Sequence, residues 1–221
     1  MKKYELTGEI KFHFGRKLYQ IKALISFGNV EAGELGGFIE KEENLSQNGN
    51  AWVYDDAWVY GDARVYDDAC VCGDARVYDD AWVYGDARVY DDACVCGDAR
   101  VYGNARVYCD ACVYDDARVY DDACVCGDAR VYGDACVCGN ARVYGNAFIK
   151  VKSDILTIVP IGSRNDTTTF FKTKDKKINV CCGCFRGTIE EFEKAVEETH
   201  GGSFYEKQYK IAIELAKISI R

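Results

Sequence analysis

The chain of 221 residues contains one proline, one methionine and two histidines, and each shortage excludes something. With one proline, the turns must be made by the 21 glycines and by aspartate and asparagine, which tolerate positive φ. The two histidines, His13 and His200, leave residues 51–146 with no imidazole at all. No apolar run approaches the ~20 residues of a bilayer span. The opening stretch MKKYELTGEIKFHF has no apolar core of signal-peptide length. A cytoplasmic protein that does not contact membrane is therefore expected. Thirteen cysteines are an odd count, and without an export signal they read as reduced thiols rather than a disulfide framework.

Charge is unevenly placed. Residues 51–146 hold 19 Asp and no Glu against 8 Arg and no Lys, a net of −11 within a total of −8, so the flanks together carry +3. An acidic middle with weakly basic ends is not suited to tracking nucleic-acid phosphates, and no nucleic-acid partner is expected.

What fills that middle is a repeat. From Ala51 to Asn146 the chain divides without insertion into sixteen hexads of the form A-x-V-[YC]-x-[DN]. A unit this short cannot bury its own apolar side and must stack on its neighbours, which predicts a β-solenoid. Ala and Val lie two apart, so on a strand both point inward. The residue between them (Arg, Cys or Trp) and the residue after Val (Tyr or Cys) point outward. The last two positions, Asp-Asp, Gly-Asp or Gly-Asn in most hexads, form the corner. Phe148, Ile149, Lys150 and Val151 break the pattern and are expected to end the array.

Charge also predicts the coil. With two hexads per coil, Asp55, Asp67, Asp79 and Asp91 would stack at ~4.8 Å, each repelling the next. With three, the first-corner columns read Asp55, Gly73, Asp91, Cys109; Gly61, Asp79, Gly97, Asp115; and Asp67, Gly85, Gly103, Asp121, with no two aspartates adjacent. A three-sided coil of eighteen residues is favoured. At the second corner position Asp56, Asp74, Asp92, Asp110 and Asp128 still stack, at about 1 kcal/mol per neighbouring pair before screening.

Solenoid ends need caps. Residues 1–44 read as a β cap of short strands followed by a glycine-rich segment, with Leu45 in the alanine phase of a further hexad and Gly49-Asn50 as a corner. Residues 45–152 are the array, and 153–221 an α+β module. In that module ILTIVPIG, TTTFFKTK and KINVCC are strands, the last two forming a hairpin. Thr188 with Glu191 opens a helix that ends at Gly201-Gly202, and a second helix carries Phe204, Ile211, Leu215 and Ile218 on one face.

The order of aliphatic, two corner residues and small residue resembles the hexapeptide-repeat left-handed parallel β-helix. LGGFIEKEENLSQNGNAWVY at 35–54, running into the hexads, resembles the YdcK-like hexapeptide-repeat proteins over about the first 150 residues. The resemblance implies left-handed coiling, a homotrimer, and a family in which the label acyltransferase is common and phage-like contexts occur. Hexapeptide acyltransferases generally use a histidine at a subunit junction and a loop thrown out of the coil. The array has neither, so no catalytic residue is assigned to it. An enzyme, if this is one, would be a CoA-dependent acyltransferase with its site outside the array.

Two clusters of thiols, Cys94 with Cys96 and Cys112, and Cys181 with Cys182 and Cys184, lack the CxxC pairs of structural zinc sites. No metal or cofactor is expected. Cys, Tyr, Arg and Trp codons differ by single bases, which explains cysteines scattered over outward positions without any role.

The aromatic and basic surface is more informative. One face should stack Arg64-Tyr66, Trp82-Tyr84, Arg100-Tyr102 and Arg118-Tyr120, residue types enriched in protein interfaces. The same stacking would also stabilise the coil by itself. Ser163 and Arg164, with Lys172, Lys174, Lys176 and Lys177 nearby in sequence, are candidates to hold an anionic group. The expected role is a non-catalytic scaffold or binding protein acting through protein interaction or self-assembly, with acyl transfer and phage-type sequestration of a molecule as alternatives.

Overall fold

The computed structural model describes residues 2–220. Every Ala and Val of the sixteen hexads is at most 1% exposed, so the alternation of the repeat fills the interior. Each hexad contributes one two-residue strand made of the variable residue and the valine. The array has seventeen of them, β4 (Trp52–Val53) to β20 (Phe148–Ile149). Pairing is parallel and eighteen residues apart, with Arg88 opposite Arg106 and Val89 opposite Val107. Three hexads therefore close one coil, giving a parallel β-solenoid about six coils long.

The three sheets are the walls of a prism. Wall I carries Trp52, Cys70, Arg88, Arg106, Cys124 and Arg142 at its outward variable position. Wall II carries Trp58, Arg76, Cys94, Cys112, Arg130 and Phe148, and wall III Arg64, Trp82, Arg100, Arg118 and Cys136.

All first-corner residues have positive φ, from 50° at Asp55 to 72° at Gly127. The alternation of Asp and Gly there has a cause beyond charge separation. Asp55, Asp67, Asp91, Asp115 and Asp121 each accept a hydrogen bond from the corner N–H one coil later, at 3.1–3.3 Å. At Gly61, Gly73, Gly97, Gly103 and Gly127 an added Cβ would approach the next coil's corner nitrogen to 2.8–2.9 Å. Corner backbones are stacked closely, and glycine relieves them where no carboxylate is used.

The ladder is that of a parallel sheet. Arg88 N–H donates to Ala105 O and Tyr90 N–H to Val107 O of the next coil. The first and last coils each leave backbone groups without a ladder partner, and each flank supplies partners for them. At the start, β1 (Tyr4–His13) and β2 (Arg16–Ala23) form a hairpin that pairs antiparallel with β3 (Leu35–Ile39), and β3 joins wall II. Donors converge there. Phe38 N–H reaches Ala57 O, the Asn44 amide reaches Gly61 O and Ala63 O, and the buried Lys3 ammonium reaches Ala51 O at 2.8 Å. Acceptors converge at the far end. Thr169 Oγ1 takes Arg142 N–H, and the buried Asp154 carboxylate takes the N–H groups of Lys150 and Val151.

Several expectations change here. The array does not stop at Asn146, because Phe148–Ile149 adds one more strand to wall II with Ile149 in the valine place, fully buried. Leu45 lies opposite Val65, in the valine column rather than the alanine phase, since Ser46–Asn50 holds two residues more than the regular repeat needs. Trp52 is outward on its strand yet fully buried, because Tyr4 and Phe27 of the cap set their rings edge-on against it.

Beyond the array, β21 (Ile155–Ile161), β22 (Asp166–Lys172), β23 (Ile178–Cys182) and β24 (Phe185–Thr188) form an antiparallel sheet in chain order, β24 being unforeseen. Helix α1 (Ile189–His200) starts at the Thr188–Glu191 capping box and leads to α2 (Phe204–Ser219). The stripe Phe204, Ile211, Leu215 and Ile218 is the outer face of α2, each 45–70% exposed. The inner face is instead Tyr209, Ala212, Ile213 and Ala216, small enough for close packing on the sheet. No helix among the described residues is long and apolar enough to cross a membrane.

Candidate functional site

Wall III brings eight of the sequence-derived candidates together. Its five strands place Tyr66, Tyr84, Tyr102 and Tyr120 in one column, with successive ring centroids 4.9 Å apart and ring planes within 4° of parallel. Such stacking follows from the eighteen-residue register, which puts each tyrosine one strand spacing from the last. In the neighbouring column Arg100 stacks on the Trp82 ring at 5.0 Å and Arg64 approaches the same ring at 5.9 Å. Arg64, Arg100 and Arg118 are exposed, and the aromatics are half-buried by one another. Burial pushes the Tyr66 phenol up to about 12 and raises that of Tyr102, so these rings are uncharged at neutral pH. Among the described residues, no side-chain hydrogen bond, ion pair or ring contact ties this outer face to either flank.

Cysteine continues the column rather than breaking it. Cys136 ends wall III and hydrogen-bonds with the Tyr120 hydroxyl at 3.4 Å. Cys94 does the same with Tyr78, and Cys124 with Tyr108. Cys94 and Cys112 are in register on wall II, as expected. Hydrogen bonding from Cys94 is the main influence holding the Cys112 thiol down to about 7, with Arg130 adding to it.

Ser163 and Arg164 sit elsewhere, exposed in the turn between β21 and β22. They border a cavity of about 390 Å³ inside the C-terminal module, whose wall is largely apolar (Ile161, Phe192, Val196, Tyr209). The lysines are not gathered there. Strand β22 separates Arg164 from Lys172, which pairs with Asp154 at 3.1 Å, and Lys177 faces Asp175. Of the two histidines, His200 stacks on Tyr209 in the module. His13, at the tip of the β1–β2 hairpin, lies against Trp58 at 4.8 Å and Tyr60 at 5.4 Å of wall II.

One arrangement was missed by the sequence reading. The C-terminal sheet docks on the last coils of wall I. The Tyr144 hydroxyl donates to Val180 O, the Tyr144 ring meets Phe171 edge-on, and Arg186 lies over that ring at 5.2 Å. Between sheet and wall is a cleft of about 510 Å³ lined by Arg106, Cys124, Arg142, Thr167, Thr169 and Arg186 among others. A hydrogen bond from Cys126, helped by the Tyr108 hydroxyl and by Arg142 and Arg106, holds the Cys124 thiol down to about 6. The one sequence signal was the pair Arg106 and Arg142 flanking Cys124 in the eighteen-residue column.

The geometry defines the class: a capped, three-walled parallel β-solenoid with one open aromatic wall. The model of the YdcK β-solenoid repeat matches residues 69–85 and 99–113, and the array carries that repeat. The Escherichia coli K12 protein named uncharacterized acetyltransferase YdcK is 43% identical over 63 residues, which is 25% of this chain and 19% of that protein. The chain thus matches less than a fifth of that relative's length.

Proposed function

We propose that the chain is a β-solenoid binding protein whose wall III engages a protein surface, on another protein or on a second copy of itself. The observation that carries this is the four-tyrosine column with its Arg–Trp neighbours, in register and uncovered by either flank. Tyr, Trp and Arg are the side chains that dominate interface energetics. Rings already held by their neighbours lose little rotamer freedom on binding, which favours affinity. Acidic corners border the wall, with Asp80, Asp98, Asp116 and Asp134 along one edge. The complementary surface is therefore a flat apolar strip with lysine or arginine at its rim.

The test is a photo-crosslinking residue placed at position 102 of wall III or at position 132 of wall II in the full chain, combined with light scattering of the Tyr84→Glu/Tyr102→Glu variant. Adducts specific to position 102, and a complex or oligomer lost in the variant, are expected. Equal adducts at both positions, or an assembly untouched by the double substitution, would overturn the reading.

Acyl transfer is the second reading, favoured by the relative's name and by His13, the one histidine lying against the array. Acetyl-CoA turnover that disappears in His13→Ala and survives in His200→Ala would establish it in place of the first.

A further inference from the structure

The cleft between wall I and the C-terminal sheet holds three guanidinium groups, Arg106 and Arg142 from the array and Arg186 from β24. Among the described residues none of the three forms an ion pair, although eleven ion pairs are formed elsewhere. The two carboxylates at the cleft are otherwise engaged. Asp122 accepts from the Asn104 amide at 3.0 Å, and Asp166 accepts from Thr167 N–H at 2.7 Å. Three guanidinium groups outnumber the two carboxylates of the cleft and pair with neither, and a bound anion balances the excess positive charge.

A second, independent observation points the same way. Thr167 is 8% exposed, lines the cleft, and its Oγ1 is buried without a hydrogen-bond partner. Its neighbour on the same strand, Thr169, spends its hydroxyl on Arg142 N–H at 3.1 Å, which also fixes the array against the sheet. A buried hydroxyl left unpaired costs about 1–3 kcal/mol unless a ligand or water supplies the partner.

We propose that this cleft is a binding site for a small molecule bearing an oxyanion group, a phosphate or a cluster of carboxylates. Arg106, Arg142 and Arg186 neutralise the anion, and the Thr167 hydroxyl donates to it. The guanidinium fork matches the oxygen spacing of both groups. The volume suits a small ligand. A long polyanion is disfavoured because the acidic corner columns continue along wall I on both sides of the cleft. The site is made only when the C-terminal sheet is docked, since Arg186 and Thr167 come from the sheet and the other two arginines from the coils. It is independent of the wall III reading and stands or falls separately.

Isothermal titration of the full chain with inorganic phosphate and with citrate, at matched ionic strength against sodium chloride, tests it. Saturable binding of at least one of the two is expected, and which one binds separates the phosphate source from the carboxylate source. Arg142→Ala and Arg186→Ala should each weaken binding tenfold or more, and Thr167→Val threefold or more. Arg130→Ala, an array arginine on wall II, should bind as the parent does. Arg186→Lys guards against misfolding, because it keeps the charge, loses the fork, and is expected to bind with intermediate affinity and an unchanged circular dichroism spectrum. No saturable binding of either anion, binding unchanged in Arg186→Ala, or an equal loss in Arg130→Ala would overturn the proposal.

Discussion

Walls I and III repeat the same phrase at the same spacing, yet wall I is covered at both ends and wall III at neither. On wall I, Trp52 lies under Tyr4 and Phe27 at one end, and Tyr144 lies under Phe171 and Arg186 at the other. On wall III the tyrosine column runs from Tyr66 to Tyr120 with solvent over it. The repeat therefore decides how each wall is built, and the flanks decide what each wall is left free to do.

The largest expected effect lies at the junction of wall I with the C-terminal sheet. Phe171 is fully buried, belongs to the array's core cluster and meets Tyr144 edge-on. Phe171→Ala should cost about 3–5 kcal/mol, and calorimetry should show the C-terminal module melting before the array. Removing the last ring of the open column, Tyr120→Ala, should cost about 1 kcal/mol with a single transition. Equal costs would mean that the cover adds nothing to wall I.

Beneath the surfaces the two walls should be indistinguishable. Val101 of wall III and Val107 of wall I are both fully buried. Val→Ala at either should cost about 2 kcal/mol in urea melts. A difference beyond about 0.5 kcal/mol would show that the cover reaches the interior.

Corners allow a finer contrast. At Gly127 (φ +72°) an added Cβ comes to 2.8 Å from Gly145 N, whereas at Gly139 (φ +62°) nothing lies within 4 Å. Both substitutions to alanine carry left-handed strain of about 1 kcal/mol, and Gly127→Ala should cost about 1 kcal/mol more because the stacked corner must move. Equal melting midpoints would remove the close-packing explanation of the Asp–Gly alternation.

The last expected effect is a pH dependence belonging to the capped start of the prism. Burial lowers the Lys3 ammonium to about 8 from its ordinary 10.5. Since the folded state binds its proton less tightly than the unfolded chain, this group destabilises below pH 8 and ceases to do so above 10.5. Stability should rise through that window. Lys3→Met should flatten the rise, and a slope unchanged in that variant would assign it to another group.

Much of the fold could be read from the residues. Ala and Val two apart gave an inward pair, and Asp–Gly spacing predicted a coil of eighteen residues because a two-hexad coil would stack like charges. The wall III ladder followed from the same arithmetic. The cleft could not be read, because Arg186 and Thr167 reach Arg106 and Arg142 only through docking contacts such as Tyr144 with Val180, which have no period to betray them. The inner face of α2 was equally hidden. Its alanines pack where an apolar stripe of larger residues would be expected, and the stripe itself faces outward.

The parallel register of the two array ends has a further consequence. The edge of an uncapped last coil would have the donor and acceptor spacing that an uncapped first coil meets in the ladder. Loss of one flank would leave a single open terminus. Loss of both would allow head-to-tail growth into a filament in which every strand keeps one direction.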